Sequence, residues 1–325
     1  MPRAAVCRDY GPPEVIRVQE HPVPPAGRGQ VGVRVSAAAV NFPDVLLVAD
    51  SYQVSVPTPF VPGSEFAGVV DEVGSGTTGF AVGDRVTGTG LFGAFAERVV
   101  IDAVSVTAIP DGVDDLTAAA SGVAHRTAYH TLRSAARLCS GDELIVLGAG
   151  GGVGLAAVQL GVALGARVTA VASSAEKLDA ATDHGACRVV NHRAGDLRAA
   201  LRTALPEGAD VVVDPVGGAL SEPALRTLRR GGRFVTVGFA SGIIPRIPLN
   251  LVLIKGIQVS GFQFQDVQPA EFERNESELR DLLASGRVAP HIDAVYPLTD
   301  AAKALRHVAD GRAIGKVLMS LNSQE

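Results

Sequence analysis

Only three cysteines occur in 325 residues, Cys7, Cys139 and Cys187, odd in number and far apart. That usage excludes a disulfide framework and fits free thiols in a reducing compartment, so a cytoplasmic location is expected. Charge is also scarce: charged residues make up 19%, the formal net charge is -5, and there is no block of Lys or Arg. Such a chain carries no electrostatic footprint for nucleic acid or an acidic membrane, which leaves small molecules as the expected partners. Long apolar runs are missing as well. The opening Met1-Pro2-Arg3-Ala4-Ala5-Val6-Cys7-Arg8-Asp9 lacks the apolar stretch of a signal peptide, and no later segment is long and uncharged enough to span a bilayer, so no leader or anchor is expected. What the chain does have is apolar material, 47% hydrophobic residues, enough to offset chain entropy throughout. At 325 residues it exceeds one core, since a domain usually runs about 100 to 200 residues, and two domains are expected.

Up to about Asp111 the texture is short β runs between Gly and Pro: Ile16-Arg17-Val18, Gln30-Val31-Gly32-Val33-Arg34-Val35, Phe66-Ala67-Gly68-Val69-Val70, Asp84-Arg85-Val86 and Phe95-Ala96-Glu97-Arg98-Val99-Val100. Apolar and polar residues often alternate there, as in an antiparallel barrel or sandwich. Pro57, Pro59 and Pro62 make the stretch 52–63 an ordered loop. After Ala118 the pattern changes to apolar strands at 143–147, 167–172, 188–191, 210–214 and 233–238, separated by helical stretches beginning near Leu155, Ser174, Asp196 and Leu220. That alternation predicts a parallel sheet covered on both faces. A strand at 257–261, helices at 269–284 and 301–309, and a strand at 316–319 that rejoins the first domain complete the expectation. The fold class is α/β, a mostly-β domain followed by a doubly wound one.

The strongest local signal is Gly148-Ala149-Gly150-Gly151-Gly152-Val153-Gly154, between an apolar strand and an Ala/Leu-rich helix. Glycines there permit a tight turn and close approach of backbone N–H groups to a pyrophosphate, at a helix N-terminus with positive partial charge. In a strand–turn–helix context this reads as a dinucleotide site. An acidic ribose ligand for NAD is expected about 20 residues further on. Ser173 and Ser174 stand there, followed by Lys177. Hydroxyls and an ammonium suit a 2′-phosphate, so NADPH is the expected cofactor. A second reading stays open beside it, with Ser173 as an N-cap and Glu176 completing a capping box. No C-x-x-C occurs and the seven histidines are scattered, so no metal site is expected.

With the N-terminal half included, the chain resembles the medium-chain dehydrogenase/reductase superfamily, and within it the zinc-free NADPH:quinone oxidoreductase branch that includes ζ-crystallin-like proteins. The resemblance rests on Gly11-Pro12-Pro13-Glu14-Val15, Val40-Asn41-Phe42-Pro43-Asp44, Pro62-Gly63-Ser64-Glu65-Phe66-Ala67-Gly68-Val69-Val70, Arg126-Thr127-Ala128-Tyr129-His130, the glycine loop and Asp214-Pro215-Val216-Gly217-Gly218. It implies a GroES-like catalytic domain at 1–122, completed by 265–325, around a Rossmann NADPH-binding domain at 123–264, with a cleft between them. It also implies a homodimer whose edge lies near 251–261. Zinc-dependent relatives carry Gly-His-Glu where Gly63-Ser64-Glu65 stands and a Cys near position 41, where Asn41 stands.

By the same resemblance, Asn41, Asp44 and Tyr52 line the acceptor site, with Tyr52 bonding the acceptor oxygen or relaying a proton. The structural alternatives are Tyr52 as a loop anchor, Asn41 as a strand-end turn residue and Asp44 as an N-cap. Thr127, Gly148, Gly151, Gly152, Val153, Gly154, Ser173, Ser174, Lys177, His192, Gly238, Phe239, Ala240, Phe262 and Phe264 are the implied cofactor residues. His192 departs from a common Tyr, Gly148 from a common Ala, and Gln263-Phe264-Gln265-Asp266 from the usual aromatic pattern. His130 reads as a packed helix residue. The activity implied is hydride transfer from NADPH to a quinone or other conjugated carbonyl, without zinc. An enoyl-thioester reductase and a non-catalytic or RNA-binding ζ-crystallin-like protein are the alternatives, the latter disfavoured by the acidic balance.

Overall fold

Short β-branched runs broken by Gly and Pro do become strands in the computed structural model, which describes residues 1–321. The first stretch forms β1 (Arg3–Val6), β2 (Arg17–Glu20), β3 (Gln30–Val40), α1 (Phe42–Val48), β4 (Glu65–Val73), β5 (Arg85–Thr89), β6 (Arg98–Asp102), β7 (Val106–Ala108) and α2 (Asp115–Ser121). The next forms α3 (Ala124–His130), β8 (Glu143–Leu147), α4 (Gly152–Ala163), β9 (Arg167–Ala172), α5 (Ala175–Asp183), β10 (Arg188–Asn191), α6 (Leu197–Ala204), β11 (Ala209–Asp214), α7 (Ser221–Thr227) and β12 (Leu228–Thr236). The last forms α8 (Leu249–Lys255), β13 (Gln258–Gly261), α9 (Pro269–Ala284), β14 (Ile292–Pro297), α10 (Ala301–Ala309) and β15 (Lys316–Ser320).

Two compact units result, one from residues 1–123 together with the chain from Ile292 onward, the other from 124–291. In the first, a seven-stranded sheet runs β14-β15-β3-β4-β5-β7, with β6 also on β3. The strand β3 organises it. Its alternation sends Val31, Val33, Val35, Ala38 and Val40 into one apolar cluster, while Ala37 and Ala39 face another built with Ala118, Ala119 and Ala120 of α2. Small side chains on that face let the helix approach closely. The returning tail is part of the same sheet, because β15 pairs antiparallel with the end of β3, Val317 opposite Val40.

In the second unit, six parallel strands run β10-β9-β8-β11-β12-β13. The order reverses between β8 and β11, and both strands are buried along most of their length, as a sheet covered on two faces requires. The helix α9 belongs to this unit, which corrects the expected boundaries. The completing segment of the first unit starts at Ile292 and not at 265, and the second unit spans 124–291 and not 123–264. Charges on α9 account for the difference. Glu276 pairs with Arg126 and His130, Tyr129 donates to Glu278 at 2.6 Å, and Asn275 donates to Ser134, all tying α9 to the helix at α3 and the π-helical turn after it.

Candidate active site

The glycine loop joins β8 to α4 at the point where the strand order reverses. Gly148 sits at φ 62°, a left-handed conformation that glycine adopts freely and alanine does not. At Gly154 a Cβ would overlap the Gly148 carbonyl, so only glycine lets the first turn of α4 lie against the loop. The N-cap Gly151 has extended backbone and no side-chain cap, leaving the first N–H groups of α4, at Gly152, Val153 and Gly154, for another acceptor. Such a helix start can receive an anion.

Ser173 and Ser174 follow β9, and both are half-buried. The N-cap of α5 is Ser174, not Ser173: its hydroxyl accepts from the Lys177 N–H at 3.5 Å, and the Glu176 carboxyl is held below its usual range first by its own backbone N–H and then by Ser174. The expected capping box of Ser173 with Glu176 therefore does not form: with Ser174 as the N-cap the third helical residue is Lys177, which has no acceptor to return the bond. The stem of Lys177 runs beside the glycine loop, 2.5 Å from where a Cβ on Gly150 would lie. His192 follows β10 beside β9, and burial together with the charges of Arg193 and Lys177 pushes its imidazole pKa down. His192, Arg193 and Lys177 are thus close enough to act on one another, and Ser173 and Ser174 end the strand beside β10, with Glu176 held on Ser174.

The remaining loops of the second unit gather at the same strand ends. Buried Asp214 at the end of β11 accepts from Val216 N–H, Gly217 N–H and the Ser221 hydroxyl at 2.9, 2.8 and 2.6 Å, locking that turn. The Gly238-Phe239-Ala240 loop after β12 hangs on it through Gly238 N–H to Asp214 O and Ala240 N–H to Pro215 O. Thr127 is half-buried on α3. After β13, buried Phe262 and half-exposed Phe264 pack edge to face at 5.0 Å, against His130 and beside Phe272. His130 is fully buried and bonds Glu276 at 2.9 Å, as a packing residue does.

In the first unit the structure joins Asn41 and Asp44 to residues far away in sequence. The Lys316 ammonium, 3% exposed, donates to Asn41 Oδ1 at 2.6 Å and to Glu65 Oε1 at 2.7 Å. Asn41 Nδ2 donates to Glu65 Oε1 at 2.8 Å and to Ser64 Oγ at 3.1 Å, and the Val123 N–H donates to Glu65 Oε2 at 2.7 Å. The N-cap of α1 is Asn41, and Asp44 is its third residue, accepting from the Asn41 N–H at 2.7 Å. The expectation of Asp44 as the cap is corrected accordingly. Asp44 is completely buried, and its Oδ1 has no hydrogen-bond partner. Desolvation dominates its titration and raises its pKa to about 7, against the opposing pull of the Asn41 N–H, Lys316 and Ser64.

Tyr52 lies outside this network, in the loop beyond α1, half-buried against the core of the first unit. Ser64, Glu65 and Lys316 are the members that sequence reasoning did not assign, two of them charged. The signal for Glu65 and Lys316 was a charge at the head of an apolar strand, Glu65 before Phe66-Ala67-Gly68-Val69-Val70 and Lys316 before Val317-Leu318-Met319.

Comparisons with known proteins agree with this geometry. Residues 27–111 match the family described as alcohol dehydrogenase GroES-like domain, and residues 152–281 that described as zinc-binding dehydrogenase. Mouse quinone oxidoreductase-like protein 2 is 36% identical over 326 residues, covering 98% of this chain and 92% of that protein. The Escherichia coli quinone oxidoreductase, solved in complex with NADPH, superposes with a TM-score of 0.89 at 28% identity over 98% of this chain and 99% of that one. The quinone oxidoreductase of Pseudomonas syringae pv. Tomato DC3000 does so with a TM-score of 0.90 at 29% identity, covering 98% and 100%. Its paired GroES-like and Rossmann folds, its glycine loop and these relatives together place the chain in the quinone oxidoreductase family of the medium-chain dehydrogenase/reductase superfamily.

Proposed function

We propose that the protein is an NADPH-dependent reductase that delivers hydride to a quinone or another conjugated carbonyl without zinc. The observation that carries this reading is the hydrogen-bonded network of Asn41, Ser64, Glu65 and Lys316, built around the two positions, Asn41 and Ser64, where the resemblance puts Cys and His in zinc-dependent relatives. An amide, a hydroxyl and an ammonium are poor company for zinc, and the one carboxylate, Glu65, is already engaged by Lys316, Asn41 and the Val123 N–H. The ammonium already supplies a positive charge there, and a second cation beside it would be repelled. Alcohol oxidation leans on a Lewis acid to hold an alkoxide, whereas an electron-poor conjugated acceptor needs none.

Residues of the second unit fit the dinucleotide. The N–H groups at the start of α4 would hold the pyrophosphate, and Ser173, Lys177 and Arg193 would hold the 2′-phosphate, with His192 beside the adenine. The backbone of Gly238, Phe239 and Ala240, together with Thr127, Phe262 and Phe264, would orient the nicotinamide end. When bound, the nicotinamide supplies the hydride. The chain's own contribution is then position and the exclusion of water, with Asp44 as a buried acid near the acceptor.

Assembly as a homodimer is part of the same proposal. It is supported by β13, an edge strand exposed along its whole length, and by Leu249, Leu253 and Ile254 of α8, exposed at 75%, 82% and 63%. Among the described residues no helix is long and apolar enough to cross a membrane.

The test is cofactor oxidation, followed by nicotinamide absorbance, with a simple quinone, a 2-enal and crotonyl-CoA as acceptors and with NADH run in parallel. Rapid quinone reduction with NADPH and slow reduction with NADH is the expected result. Turnover confined to the thioester would shift the activity to enoyl-thioester reduction. Binding of NADPH without turnover on any acceptor would overturn the catalytic reading.

A further inference from the structure

Between β13 and α9 the chain makes a short turn, Phe264–Asp266, whose first residue is an aromatic ring 38% exposed. The backbone bonds from Asp266 N–H to Gln263 O at 3.1 Å and from Val267 N–H to Phe264 O at 3.2 Å stay inside the turn. Bonds of that kind fix the shape of a turn and leave its direction open. Direction comes from side chains. Arg126 of α3 lays its guanidinium over two rings, its central carbon 5.6 Å from the centroids of both Phe264 and Phe272. Those rings meet edge to face at 6.4 Å, and Phe264 meets Phe262 and His130 in the same way at 5.0 and 5.5 Å. The guanidinium is itself held. Its Nε donates to Glu276 Oε1 at 2.9 Å, the same oxygen that bonds His130 Nε2 at 2.9 Å. All of these residues belong to the second unit. A planar cation fixed by a carboxylate gives an aromatic ring a face to settle on.

We propose that Arg126 is a positioning residue for the nicotinamide end of NADPH and acts through Phe264. This rests on the placement of the nicotinamide beside Phe262 and Phe264 given above. A half-exposed ring free to swing must be ordered when the ligand binds, and that ordering costs affinity. With the guanidinium against it, the Phe264 ring is set before the cofactor arrives. Lysine would keep a charge beside Glu276 without the planar, weakly hydrated face, so it is an incomplete substitute at this position. Arg126 is also the neighbour of Thr127 on α3, so one turn of helix carries a residue assigned to the nicotinamide end and the residue that holds Phe264. The adenine and 2′-phosphate end is assigned to residues at β9, α5 and β10, while the cluster is drawn from α3, α9 and the turn between β13 and α9. Loss of Arg126 therefore weakens the grip on one end of the cofactor and spares the other.

The experiment is calorimetric titration with NADPH and with adenosine 2′,5′-bisphosphate, which carries the adenine and the 2′-phosphate but no nicotinamide. The proteins are the wild type, Arg126→Lys, Arg126→Met, Phe264→Leu and the double variant of Arg126→Met with Phe264→Leu. Arg126→Met should weaken NADPH binding about 10-fold and Arg126→Lys about 3-fold, with the affinity for the bisphosphate unchanged in both. A variant that still binds the bisphosphate has kept its fold, so misfolding does not imitate this result. Phe264→Leu should also weaken NADPH about 10-fold, and the double variant should lose no more than either single one, because the arginine acts through the ring. Unchanged NADPH affinity in both Arg126 variants, an equal loss for the bisphosphate, or a double loss of about 100-fold would overturn this inference alone. NADPH affinity that survives Phe264→Leu would overturn the placement of the nicotinamide there, and the inference with it.

Discussion

The ammonium of Lys316 touches the amide oxygen of Asn41 at 2.6 Å across 275 residues of sequence. Lys316 opens β15, the last strand of the first unit, and Asn41 caps the helix that follows β3. The pairing of β15 with β3 in the antiparallel register that sets Val317 opposite Val40 brings them together. The contact therefore ties closure of the first unit's sheet to the orientation of its candidate active-site groups.

Loss of that ammonium leaves Glu65 buried without its ion partner. Lys316→Met should destabilise the protein by roughly 3–5 kcal/mol, and adding Glu65→Gln should recover part of the loss because no unpaired charge then remains. Urea unfolding of the single and double variants measures both effects.

Lys177 is the ammonium nearest the corner where a 2′-phosphate would sit. Lys177→Ala should raise the KM for NADPH about 10- to 100-fold, the equivalent of a charge-assisted hydrogen bond, and leave that for NADH nearly unchanged. Steady-state kinetics with the two cofactors decides it, and equal losses for both would move the 2′-phosphate elsewhere.

Gly154→Ala places a methyl group against the Gly148 carbonyl. Backbone cannot yield as a side-chain end does, so the start of α4 must shift, at a cost of about 1–3 kcal/mol. Thermal melting should show the destabilisation, and the stabilisation that NADPH gives the wild type should vanish in the variant.

Asp44 predicts a pH dependence of stability. Its folded pKa of about 7 lies above the ordinary aspartate value, so between about pH 4 and 7 the folded state binds more protons than the unfolded one. Stability from this group is present at low pH and is lost as pH rises through 7. Asp44→Asn should flatten that slope and make the protein more stable than the wild type above pH 8, as read from unfolding curves at stepped pH.

The exposed leucines of α8 give the oligomer test. Leu253→Glu puts a charge on the apolar surface beside the β13 edge and should convert a dimer to monomers in analytical ultracentrifugation. A wild type that already sediments as a monomer would remove the dimer from the proposal.

Much of this molecule was readable before any coordinates. The helix expected at 269–284 is α9, and that expected at 301–309 is α10. Strand at 316–319 does rejoin the first sheet, and the glycine loop opens α4 as its spacing implied. These are local properties: period, turn chemistry and helix-start glycines act within a few residues, so the sequence carries them without reference to the rest of the chain. Cap positions were displaced slightly, Ser174 for Ser173 and Asn41 for Asp44, because neighbouring polar residues can satisfy the same helix start and only the dihedral angles choose between them. Which unit owns α9 was not legible, since its glutamates find their partners more than a hundred residues away on α3. Nor was the role of Lys316: alone in sequence it is a charge at the head of an apolar strand, and its meaning depends on Glu65 and Asn41, which sheet pairing alone delivers. Sequence by itself determined the elements and the chemistry of the cofactor loop, while the tertiary structure decided which buried charges meet, because burial and pairing of charge are properties of places in the fold and not of neighbours in the chain.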